Sequence, residues 1–126
     1  MGISDRVKGK YVARLNDLIQ AGKEIPIIQH SRLVSNSAIT GEKKYQHFNL
    51  ASWAEFIEWQ TSCIVVLEQV VPKSSLLRNT VDAFHTLTNE PSKLEFAVSF
   101  LKAIRNELQN GFLDGLTLQI VVITEN

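Results

Sequence analysis

Apolar residues recur at three- and four-residue spacing in four stretches of the chain, and that period predicts helices. Val7, Tyr11, Leu15, Leu18 and Ile19 form one stripe, which places a first helix from about Ser4 to Ala21. Ser4 can cap it, and Asp5 suits the positive end of the helix dipole. Gly22 reads as its terminator, with Pro26 a few residues on. A second helix is predicted from about Leu50 to Val71, capped near Asn49 or Ser52. Trp53, Phe56, Ile57, Trp59, Cys63, Ile64, Val66, Leu67, Val70 and Val71 cover roughly half of its circumference. So broad an apolar face predicts a central helix packed on more than one neighbour. Pro72 ends it, because the residue before proline is pushed out of helical geometry. A third helix, about Ser75 to Leu87, turns Leu76, Leu77, Thr80, Val81, Phe84 and Leu87 inward. Pro91 fits the first turn of a fourth, which runs to about Asn110 on Leu94, Phe96, Ala97, Phe100, Leu101, Ile104 and Leu108. Gly111 is placed to stop it.

Two stretches escape this period. Residues 23–49 contain an apolar run broken by Pro26 and turn-forming residues at 35–37 and 40–44. They read as a long irregular loop, either functional or hiding a short helix or hairpin. From Phe112 to Asn126 the pattern fits a helix or a strand equally. The fold class expected is therefore mainly α, a compact single-domain bundle of four to five helices.

Composition narrows the class. The 126 residues are 44% hydrophobic and 21% charged, in the range of ordinary globular domains. Basic and acidic residues number 13 each, so the overall basic excess of a dedicated nucleic-acid domain is lacking. Their distribution is uneven. Residues 1–50 hold eight basic and four acidic residues, net +4, and residues 51–126 hold five and nine, net −4. One end could meet the opposite end of a neighbouring copy or an acidic partner. A single cysteine, Cys63, excludes an internal disulfide and fits a reducing, cytoplasmic setting. The sequence lacks the apolar core of a signal peptide and a run long enough to span a membrane, so no membrane association is expected.

Candidate chemistry is sparse. Asp82 and His85, three apart on the third helix near Arg78, could share a proton or a metal. They make an incomplete ligand set, and neither metal nor cofactor is expected. Glu55 and Glu58 share the polar arc of the second helix. Cys63, among apolar neighbours, reads as a small hydrophobe; a nucleophilic role would need His30 or His47 brought to it. Gln60 lies within the apolar arc, where a buried amide needs a partner: the 23–49 stretch or an indole N–H. Glu107 reads as a similar exception. His30, Arg32, Lys43, Lys44, Tyr45 and His47 interleave basic groups with an aromatic and could contact phosphate or a base. No phosphate-cradling glycine pattern accompanies them, since Gly41 is the only glycine there. Trp59, Phe112, Leu116, Ile120 and Ile123 supply the apolar surface expected at an interface.

Phe56 with Trp59-Gln-Thr-Ser-Cys-Ile-Val-Val-Leu67 resembles a helix of uncharacterised bacterial proteins, some associated with phage defence. Phe100-Leu-Lys-Ala-Ile104 followed by Gly111-Phe-Leu-Asp-Gly-Leu116 resembles a later phrase of those proteins, and the likeness spans about residues 7–120. It implies a helical accessory module, often the N-terminal part of a longer protein, and a helical final segment. It carries over no catalytic residue. The function expected is a non-enzymatic protein–protein interaction or oligomerisation module of a bacterial cytoplasmic protein. One alternative is a nucleic-acid-binding module using the basic half. Another is a small hydrolase-type enzyme centred on Asp82 and His85 or on Cys63.

Overall fold

The computed structural model describes residues 5–71, 73 and 77–110. In chain order they form α1 (Asp5–Glu24), β1 (Ile27–Asn36), β2 (Lys43–Ala51), α2 (Trp53–Val70), α3 (Arg78–Ala83), a 3-10 turn at Phe84–Thr86, and α4 (Pro91–Gln109). The pure helical bundle is thus overturned. The fold is α+β, a helical body bearing one antiparallel hairpin.

The stretch expected to be an irregular loop holds that hairpin. Its strands are exposed on both faces almost throughout, so no alternation of buried and exposed positions marks them in the sequence. Their connection is built from local bonds. Ser37 N–H donates to Glu42 O at 2.9 Å, and Gly41 N–H donates to Ser37 O at 2.9 Å. The Ser37 hydroxyl accepts from Thr40 N–H at 3.2 Å. Gly41 has φ +71°, a left-handed conformation that costs glycine little.

The body packs α1 against both α4 and α2, with α3 and the 3-10 turn laid on α2. Its core includes Leu15, Leu18 and Ile19 of α1, Phe56, Cys63 and Leu67 of α2, and Leu101, Ile104 and Leu108 of α4. Aromatic rings tie the helices together: Phe56 to Trp59 at 6.3 Å, Trp59 to Phe84 at 6.4 Å and Phe84 to Phe100 at 5.8 Å.

Several local expectations change. Gly22 does not stop α1, which continues to Glu24. It is buried where the Trp59 indole presses on the helix; a Cβ there would lie 2.7 Å from Trp59 Cζ2 and 2.9 Å from Val98 Cγ2. The third helix begins at Arg78, is six residues long and tightens into a 3-10 turn, shorter than the 75–87 helix expected. Phe96 and Trp53, 62% exposed, face solvent, Trp53 at the edge of the arc that α2 buries and Phe96 outside the arc that α4 buries. Glu107 is exposed too, and is no exception within the core. Val71 is extended as Pro72 requires, and Pro91 occupies the first turn of α4. The ambiguous C-terminal segment and the proposed stop at Gly111 lie outside the described residues.

Candidate functional site

The hairpin gathers the exposed apolar surface. Of eleven large hydrophobic residues found exposed, Ile27, Ile28, Leu33, Val34, Ile39, Tyr45 and Phe48 belong to it, so the hairpin is the apolar pole of the described surface. Its base is clamped to the body. Ala51 N–H donates to Asn89 O at 2.8 Å, the Asn89 side-chain amide donates to Ala51 O at 2.8 Å, and Ser52 N–H donates to Pro26 O at 2.8 Å. Ile25 and Ala51 are buried on either side of this clamp.

Register sorts the six loop residues singled out in the sequence. Ile28 pairs with Leu50, His30 with Phe48 and Arg32 with Gln46, and directly opposed residues share a face. His30, Arg32 and Lys44 therefore lie on one face, and Lys43, Tyr45 and His47 on the other. On the first face the His30 and Phe48 rings stack at 5.5 Å, and the Arg32 guanidinium sits 6.0 Å from the Phe48 centroid. Arg32 also donates to Gln46 Oε1 at 2.7 Å. Phe48, the centre of this stack, is not among the six residues singled out in the sequence. Only the register reveals its role.

A second constellation joins α2 to α3. Arg78 donates to Glu68 Oε1 at 2.6 Å and to Asp82 Oδ1 at 3.0 Å, while His85 Nε2 lies 3.4 Å from Glu68 Oε1. The hydrogen bond from Arg78, assisted by His85, holds the Glu68 carboxyl below its usual value. Ligand atoms of Glu68, Asp82 and His85 lie within 4.8 Å of one another, a spacing that suits a cation. Arg78 supplies that charge, so a metal would have to displace a guanidinium bonded to both carboxylates. Spacing could pair Asp82 with His85, but nothing in the sequence links them to Glu68 ten residues before Arg78.

Other candidates turn inward. Trp59, expected at an interface, is 5% exposed and donates its indole N–H to Leu18 O at 2.7 Å. The remaining interface candidates, Phe112, Leu116, Ile120 and Ile123, lie outside the described residues. Gln60 is buried as expected, but its amide donates to Phe84 O at 2.6 Å, not to the 23–49 stretch or to an indole. That carbonyl, at the end of the short α3, also accepts the Leu87 N–H at 3.5 Å, so the Gln60 amide adds a shorter bond to a long one. Cys63 is fully buried, and burial pushes its thiol up to about 12, the opposite of an activated nucleophile. His30 and His47 stand on the hairpin, outside the core that holds it. Glu55 and Glu58 are exposed, and the Ser52 hydroxyl bonds the Glu55 carboxylate at the start of α2. Lys23 and Lys102 line a groove beside the hairpin base, where the charge of Lys23 lowers the pKa of Lys102.

No helix among the described residues is long and apolar enough to cross a membrane. The chain matches no protein-family model, no curated protein and no solved structure. Fold and site together define a small α+β protein: a packed helical body presenting an anchored, solvent-exposed β-ribbon.

Proposed function

We propose that this chain is a non-enzymatic protein-interaction module whose hairpin is the docking element. One observation carries the reading: among the described residues, most of the exposed large apolar side chains sit on a ribbon clamped at its base. A two-stranded ribbon has no layer beneath it to bury these groups, and apolar surface concentrated in this way marks an interaction site. The interface expected around Trp59 moves to the hairpin. A cytoplasmic setting belongs to the same proposal and rests on the lone, buried Cys63. The likeness to helical accessory modules of bacterial proteins supports it only in type.

The test compares surface variants in the intact chain. Leu33→Ser with Val34→Ser should leave the thermal midpoint nearly unchanged and weaken association, followed by sedimentation. Val65→Ser with Phe96→Ser on the body should change neither. Association lost in the body variant and kept in the hairpin variant would refute the proposal.

The stack of His30, Phe48 and Arg32, with Lys44 on the same face, favours a second reading as a single-stranded nucleic-acid platform. It requires oligonucleotide affinity that falls steeply with salt and is lost in Phe48→Ser.

A further inference from the structure

The hairpin's hydrogen-bond parity decides which backbone groups point outward. In an antiparallel pair, residues that exchange both bonds alternate with residues whose N–H and C=O face away. Ala51, register partner of Ile27, gives its N–H to Asn89 O and receives the Asn89 amide on its own carbonyl. Both groups of Ala51 therefore face away from β1. Counting back by twos places the N–H and C=O of Asn49, His47, Tyr45 and Lys43 on the same outer edge. These four have no backbone partner there among the described residues.

The two outer edges differ. On β1 the register slips between Leu33 and Ser35, leaving Val34 as a bulge. Bulges twist a strand and blunt its edge against further pairing. β2 is unbroken from Lys43 to Ala51, and its 45–51 stretch contains no lysine, arginine or carboxylate. A regular edge whose lysines are confined to its first two positions, Lys43 and Lys44, is a template for another strand.

Resting on the reading of the hairpin as the docking element, we infer that the outer edge of β2 pairs antiparallel with β2 of a second copy. The two hairpins then form one four-stranded sheet. The free positions close on themselves: Lys43 faces the second copy's Asn49, and Tyr45 faces its His47. All four outward pairs are satisfied about a two-fold axis at Gln46, as an isologous dimer requires. Charge selects the direction. Asn89 caps the edge just beyond Asn49, and exposed Glu90 follows it at that end. Antiparallel pairing carries each Lys43 toward the second copy's Glu90. Parallel pairing would set lysines against lysines. Tyr45 opposite His47 adds a cross-strand aromatic pair.

Amide hydrogen exchange on the full chain over a dilution series, with sedimentation velocity, tests this. A dimer is expected whose Lys43, Tyr45, His47 and Asn49 amides are protected and lose protection on dilution. His47→Pro deletes an outward N–H and leaves the bonds to β1 in place, so it should weaken the dimer on the order of 100-fold with the helical circular dichroism intact. Lys43→Glu or Glu90→Lys alone should weaken it by up to about fivefold, and the double variant should restore it. A monomer at every concentration would overturn self-pairing and leave the hairpin free for a different protein. A dimer that withstands His47→Pro while its edge amides exchange freely would overturn both this pairing and the docking role. Protection that appears only with added oligonucleotide would overturn both in favour of the nucleic-acid reading.

Discussion

The helical body and the hairpin draw on the same apolar alphabet and put it to opposite use. Leu15, Phe56, Leu67 and Leu101 are wholly buried in the body, whereas Ile39 at the hairpin's tip is 97% exposed. No residue from 27 to 50 joins the buried core. The difference lies in geometry rather than composition. A helix buries its stripe by leaning on another helix, as α1 does on both α2 and α4. A ribbon of two strands has two faces and two edges, and among the described residues nothing covers them. It stands because Asn89, Pro26 and Ser52 fix its base. Body residues should therefore answer to stability, and hairpin residues to association.

The largest expected contrast is between two phenylalanines. Phe56→Ala removes a fully buried ring and should cost roughly 3–5 kcal/mol in denaturant unfolding. Phe48→Ala, on the ribbon, should cost under about 1 kcal/mol, the size of a cross-strand pair. Similar losses in both would erase the distinction.

Two glycines of α1 sharpen it next. Alanine gains up to about 1 kcal/mol over glycine in helix propensity. At Gly9 nothing lies within 4 Å of a new Cβ, so Gly9→Ala should stabilise. At Gly22 the methyl meets Trp59 at 2.7 Å, and overpacking of roughly 1–3 kcal/mol should prevail. Thermal midpoints moving in opposite directions would confirm that the Trp59 contact, and not helix termination, explains Gly22.

Cys63 reports on the body's closure. Its thiol is raised from 9.0 to about 12, so the folded state holds it protonated. Stability tied to this group is complete below pH 9.0 and falls as pH rises toward about 12. At neutral pH a thiol reagent should label Cys63 only as fast as the body opens. Rapid labelling of the folded chain would contradict that burial.

The smallest effect belongs to Glu68. Its carboxyl is lowered chiefly by the Arg78 hydrogen bond, so its contribution is present at neutral pH. That contribution fades as pH falls below the ordinary carboxylate range and through the lowered value. Glu68→Gln should flatten the acid limb of the stability profile, measured by urea unfolding at several pH values. An unchanged limb would show that the cluster does not clamp α3 to α2.

Legibility in the sequence followed burial. The stripes of α1, α2 and α4 were readable because each helix buries one face, which writes a period of three to four into the chain. The short α3 was overextended, since Thr80, Val81 and Phe84 suit a longer helix until the 3-10 turn intervenes. Trp59 looked like interface surface because one helix alone cannot show that the Leu18 carbonyl waits for its indole. The hairpin left no period, and its candidates His30, Arg32, Lys43, Lys44, Tyr45 and His47 could be named but not divided between faces. Glu68 and Asn89 could not be found at all, for their partners lie far along the chain.

The sequence by itself determined where most of the helices run, that Cys63 and Gln60 turn inward, and that residues near 40 must turn. Local propensity and one-sided burial leave marks along a chain, and those marks suffice for such features. Only the tertiary structure decided that residues 27–51 form a ribbon, that Gly22 makes room for Trp59, and that Arg78 stands between Glu68 and Asp82. Each of these depends on groups distant in the chain meeting in space, and no local pattern encodes such a meeting.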